Sequence, residues 1–125
     1  MSTTILLVED DPVLREVTAL TLRSKGYTVI EAPNGVEATK VWRTHRDSIR
    51  MLLTDMVMPE GTSGLELAER LREDDPSLCI IIASGYSAEL QRANARIPEG
   101  AATLPKPFSG NALAGLVREL LDKHP

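Results

Sequence analysis

Short apolar runs alternate with longer segments of helical period along this chain, and that alternation leaves few folds open. Ile5-Leu6-Leu7-Val8, Met51-Leu52-Leu53-Thr54 and Cys79-Ile80-Ile81-Ile82-Ala83 have strand length, with room for a crossover helix between them. The pattern predicts an α/β fold of βα units around a mostly parallel sheet. The run ends carry a second message. The first ends in Glu9-Asp10-Asp11, the second in Asp55, the third in Ser84, and the short Ala101-Ala102-Thr103-Leu104-Pro105 in Lys106. Ligands of open parallel sheets bind off the carboxyl ends of the strands, so carboxylates, a hydroxyl and an amine are expected to converge.

The intervening segments read as helices with their own punctuation. Asp11-Pro12 supplies a capping carboxylate and a first-turn proline. Val13, Val17 and Leu20 then mark an inner face, and Gly26 stops the helix. Tyr27 to Glu31 is a second, short strand. Asn34 and Glu37 have capping-box spacing before a helix carrying Val36, Val41 and Trp42, and Ser63 and Glu66 repeat it before Leu65, Ala68 and Leu71. Segment 86–97, with Leu90, Ala93 and Ile97, is read as a fourth helix closed by Pro98 and Gly100. Leu113, Leu116, Val117, Leu120 and Leu121 form one stripe on the fifth. The expectation is five strands and five helices in a single domain spanning residues 1–125, a length suited to one core.

Composition narrows the function. Net charge is −4 with Lys and Arg scattered, and aromatics make up 3% of residues, so neither a basic phosphate-binding surface nor a base-stacking platform is present and nucleic acid is not an expected partner. The single Cys79 begins an apolar run and reads as a buried thiol in a reducing compartment. No basic leader follows Met1 and no apolar stretch approaches membrane-spanning length, so a cytoplasmic location without direct membrane contact is expected.

The convergent residues suit one chemistry. Glu9, Asp10 and Asp55 are hard oxygen donors for Mg²⁺, with Mn²⁺ as a substitute, and clustered acids need a cation or a basic neighbour to offset their repulsion. Lys106 supplies one positive charge and suits a phosphoryl oxygen. Asp55 stands alone at a strand end, whereas Glu9 and Asp10 form a pair, so Asp55 is the expected nucleophile and an aspartyl phosphate the product. Ser84 is placed to donate its hydroxyl to that phosphate, and Gly85 leaves the approach open. Taken singly these residues are bland: Asp11 reads as a helix cap, a lone Ser84 as a turn, a lone Lys106 as surface. Their joint placement at separate strand ends is what points to phosphoryl handling. His45 and His124 lie in a polar helix and a tail and are not expected ligands.

These motifs resemble the receiver domain of response regulators. Ile5-Leu6-Leu7-Val8-Glu9-Asp10-Asp11 is similar to that family's opening strand and acidic pair, and Leu53-Thr54-Asp55-Met56-Val57-Met58-Pro59 to the segment around its phosphoacceptor. Ala83-Ser84-Gly85 resembles its Ser/Thr switch strand and Lys106-Pro107-Phe108 its lysine motif. The resemblance implies a doubly wound, flavodoxin-like (βα)5 fold of strand order 2-1-3-4-5. It further implies a backbone-carbonyl metal ligand at Val57 and a cis Lys106–Pro107 bond. The implied donor is phosphohistidine on a histidine kinase or phosphotransfer domain. Such a chain catalyses its own phosphorylation and dephosphorylation rather than turning over a substrate.

Two departures matter. Thr103 stands where the family usually has an aromatic ring, which weakens the implied coupling to the surface of the fourth helix, fifth strand and fifth helix. A monomer or weak dimer is therefore expected. The loop Pro59-Glu60-Gly61-Thr62-Ser63-Gly64 is one residue longer than in common single-domain members and resembles receivers of hybrid histidine kinases. Two rivals stand beside this reading. One is a protein-interaction module of the same fold without phosphorylation. The other is a haloacid-dehalogenase-like phosphatase, against which stand the Glu-Asp-Asp order and the lack of length for a cap.

Overall fold

The computed structural model describes residues 3–56, 63–85 and 97–123. The elements run β1 (Thr4–Val8), α1 (Pro12–Ser24), β2 (Thr28–Ala32), α2 (Gly35–His45), β3 (Ile49–Asp55), α3 (Gly64–Asp74), β4 (Cys79–Ser84), β5 (Ala102–Pro105) and α4 (Gly110–Lys123). The five strands form one sheet in the order β2-β1-β3-β4-β5, with every neighbouring pair parallel. This is the expected doubly wound α/β fold. The predicted fourth helix lies, apart from Ile97, outside the described residues, and the predicted fifth helix is α4.

Strand alternation builds two cores, one on each face of the sheet. Leu6, Val8, Leu52, Ile80 and Ile82 point to one side and pack with Trp42, Leu67 and Leu71 from α2 and α3. Ile5, Leu7, Met51, Leu53 and Ile81 point to the other and pack with Leu22, Leu113, Val117 and Leu120 from α1 and α4. Cys79 belongs to the second core, a buried thiol as the sequence suggested.

The helix starts follow their capping chemistry. Asp11 Oδ1 accepts from the Val13 and Leu14 amides, Asn34 Oδ1 from Glu37 and Ser63 Oγ from Glu66. Gly26, at φ +96°, takes the left-handed turn that leads from α1 into β2.

The inner face of α1 is not the one expected. Val13, Val17 and Leu20 are 70%, 55% and 57% exposed, while Thr18, Ala19 and Leu22 are buried. Both sets follow the helical period, and the small Thr18 and Ala19, rather than the bulkier valines, face the sheet. Val36 on α2 is likewise exposed, whereas Trp42 is buried with its Nε1 donating to Asp74 at 2.9 Å.

Candidate functional site

Register brings the strand ends together. In the ladders Val8 pairs with Thr54 and Asp55 with Ala83, while Ser84 pairs with Pro105, so Glu9, Asp55, Ser84 and Lys106 each sit at or just past the same edge of the sheet. Glu9, Asp10 and Asp55 each offer a carboxylate oxygen within 4.8 Å of the others. Lys106 Nζ contacts Glu9 Oε1 at 2.8 Å and Asp55 Oδ1 at 3.1 Å. Glu9 Oε2 also accepts from the Asp11 amide at 3.2 Å. Asp11 itself is turned to the α1 N-terminus, as a cap.

The backbone around these groups is fastened from several sides. Met56 N donates to Ala83 O at 2.8 Å, and Gly64 N donates to Met56 O at 3.0 Å, so the start of α3 lies directly against the Asp55–Met56 segment. Lys106 N donates to Ser84 O at 2.7 Å, and the Lys106–Pro107 bond is cis. Ser84 is 2% exposed at the end of β4. Thr103 is exposed on β5. Val57 lies outside the described residues. Two residues that the sequence did not single out also touch the site: Gly64, through this close approach, and Arg15, whose Nη1 donates to Glu9 O at 2.8 Å.

One ammonium contacts two of the three clustered carboxylates, and the electrostatics show the imbalance. Burial pushes the Glu9 and Asp55 carboxyls above their ordinary range, and the pull of Lys106 offsets this only in part. Burial alone would lower Lys106, but its bonds and charge pairing with Glu9 and Asp55 outweigh that and hold it above the usual lysine value. A carboxyl raised in the fold stabilises the native state most below its ordinary pKa, and that contribution is lost as pH rises through the folded value. The Lys106 contribution persists below the ordinary lysine pKa and is lost only as pH rises through its still higher folded value.

As pH rises through the folded-state values of Glu9 and Asp55, the metal-free chain takes on the part of their burial cost that Lys106 does not offset. Asp55→Asn without metal should melt about 2–5 °C above the unsubstituted chain at neutral pH, with the gap closing as pH falls through the carboxylate range. Thermal melts in chelator across pH check this; a gap that widens on acidification would contradict it.

The donor set fits a hard divalent cation: three oxygen ligands at one edge, more negative charge than the lysine can balance, and no sulfur or imidazole among the clustered groups. The sequence matches the response regulator receiver domain family over residues 5–118. The chain belongs to that family. It is 38% identical over 122 residues to the sensor kinase CckA of Brucella abortus, covering 98% of this chain and 13% of that protein. It is 37% identical over 117 residues to the response regulator receiver protein CpdR of the same organism, covering 94% of this chain and 95% of CpdR. Among solved structures, the response regulator TrrA of Thermotoga maritima, crystallised with Mg²⁺ and BeF, superposes with a TM-score of 0.82 at 30% identity, covering 96% of this chain and 99% of that one. This receiver domain is thus a module of two-component signalling, and it spans only a small part of the sensor kinase it resembles.

Proposed function

We propose that this receiver domain accepts a phosphoryl group on Asp55 from phosphohistidine of a histidine kinase or phosphotransfer domain. The observation that carries the reading is Lys106 bridging Glu9 and Asp55 beside a third acid, at the sheet edge where ligands of this fold class bind. An Asp55 carboxylate oxygen attacks phosphorus, the bond to the imidazole nitrogen breaks, and the imidazole leaves with the electron pair. Lys106 exchanges part of its contact with Asp55 for an incoming phosphoryl oxygen, so its charge follows the group being transferred. The Ser84 hydroxyl then turns toward the new phosphate and couples it to β4.

Glu9, Asp10, Asp55 and the Val57 carbonyl are the proposed Mg²⁺ ligands, with Mn²⁺ as a substitute. When bound, the ion supplies positive charge against the phosphoryl oxygens in flight. The TrrA complex with Mg²⁺ and BeF supports this choice of ion. A cytoplasmic setting and a monomeric or weakly dimeric state complete the proposal. No described helix is long and apolar enough to cross a membrane.

The test is incubation with acetyl phosphate, followed by intact mass. One hydroxylamine-sensitive phosphoryl adduct is expected with Mg²⁺ and none in chelator. Absence of an adduct in Mg²⁺ would favour a pure interaction module. Steady hydrolysis of an added phosphomonoester would favour a phosphatase.

A further inference from the structure

Arg15 stands behind the acidic cluster and grips the peptide that carries it. Its Nη1 donates to the Glu9 carbonyl at 2.8 Å, while its Nε lies 3.6 Å from Glu31 Oε1 on β2. Glu31 is shared with Arg23, whose Nη2 lies 3.3 Å from Glu31 Oε2 and donates to the Val29 carbonyl at 3.0 Å. The chain Arg23–Glu31–Arg15 therefore runs from the edge strand to the first residue past β1.

The position of the gripped carbonyl gives the contact its consequence. The β1–β2 ladder ends at Val8 and Ala32, with one further bond from Glu9 N to Ala32 O. The Glu9 carbonyl lies past that ladder, on the peptide leading to Asp10. The Glu9 side chain has its own restraints in Lys106 and the Asp11 amide. Asp10 is exposed, and rotation of the Glu9–Asp10 peptide would swing its carboxylate out of the cluster.

We infer that Arg15, oriented by Glu31, is a positioning residue that fixes the Glu9–Asp10 peptide and so sets how Asp10 meets a divalent cation. The inference rests on the proposed metal site and adds a residue that touches neither ion nor phosphate. Its sign separates it from a plain charge effect. A guanidinium near a cation site repels the ion, so deleting its charge should tighten binding. Deleting a positioning contact should weaken it. Lysine keeps the charge but loses the planar fork that spans a carbonyl and a carboxylate together.

The experiment is calorimetric Mg²⁺ titration of the full chain and its variants, with metal-free melting as the control for folding. Arg15→Lys and Arg15→Gln should each weaken Mg²⁺ about tenfold, and Glu31→Gln should weaken it less, in the same direction. In an Asp10→Asn background Arg15→Lys should cost less than about twofold, because its effect is transmitted through Asp10. Should Arg15→Lys fail to fold, Glu31→Gln combined with Asp10→Asn runs the same cycle. Unchanged affinity in Arg15→Lys, tighter binding in Arg15→Gln, or an equal loss with and without Asp10 would each overturn this inference alone. If the unsubstituted chain binds no Mg²⁺, the metal site fails and the inference with it.

Discussion

Asp55→Asn should reduce phosphoryl incorporation from acetyl phosphate to background, although two acids of the same cluster, Glu9 and Asp10, remain. An amide oxygen is a poor nucleophile and yields no stable acyl phosphate, so the question is whether Glu9 or Asp10 can substitute. Glu9 is committed through both oxygens, one to Lys106 at 2.8 Å and the other to the Asp11 amide at 3.2 Å. Attack would require it to give up both contacts inside a pocket where it is 5% exposed. Asp10 is exposed and follows the end of β1 rather than ending a strand, so its approach to phosphorus is less well aimed than that of Asp55. Asp55 closes β3, with flanking backbone tied to β4 and α3. Intact mass decides the matter: a normal adduct in Asp55→Asn would remove Asp55 from the proposed role.

What could be read from sequence alone follows from which interactions are local. Strands β1, β3 and β4 are runs of large apolar residues covered on both faces, and their polar terminators name the site because register in a parallel sheet aligns strand ends. The caps at Asp11, Asn34 and Ser63 are contacts across two or three residues, so spacing alone reveals them. The face of α1 was not legible. Val13-Val17-Leu20 and Thr18-Ala19-Leu22 are equally periodic, and hydrophobicity favours the first, whereas the structure buries the smaller residues of the second. The bridge from Lys106 to Glu9 spans 97 positions and acquires meaning only through the fold. Arg15 was missed because its acceptor is a backbone carbonyl, which leaves no mark in residue identity. Gly64 had a faint signal, a glycine opening a helix immediately after a serine cap.

That glycine should be the least replaceable residue near the site. A Cβ built at Gly64 runs into the Asp55 carbonyl oxygen and lies 2.9 Å from the Asp55 carbonyl carbon and 3.1 Å from Met56 Cα. All three are backbone atoms of a segment held by Met56 N to Ala83 O, so no flexible side chain can yield. In Gly64→Ala either α3 moves off the sheet, loosening Leu67 and Leu71 in their core, or the Asp55 backbone is displaced. Overpacking against rigid neighbours costs about 3 kcal/mol, at the upper end of the usual range, and should lower the melting temperature by roughly 10 °C. The fraction that stays folded should label at least about tenfold more slowly, because a nucleophile shifted by an ångström loses its line of attack. Gly115→Ala is the control. Its Cβ meets nothing within 4 Å on α4, and alanine there should raise stability by up to about 1 kcal/mol with labelling unchanged. Paired melts and labelling rates test the contrast. If Gly64→Ala melts and labels like Gly115→Ala, the contact between α3 and the Asp55 carbonyl does not hold the proposed nucleophile in place.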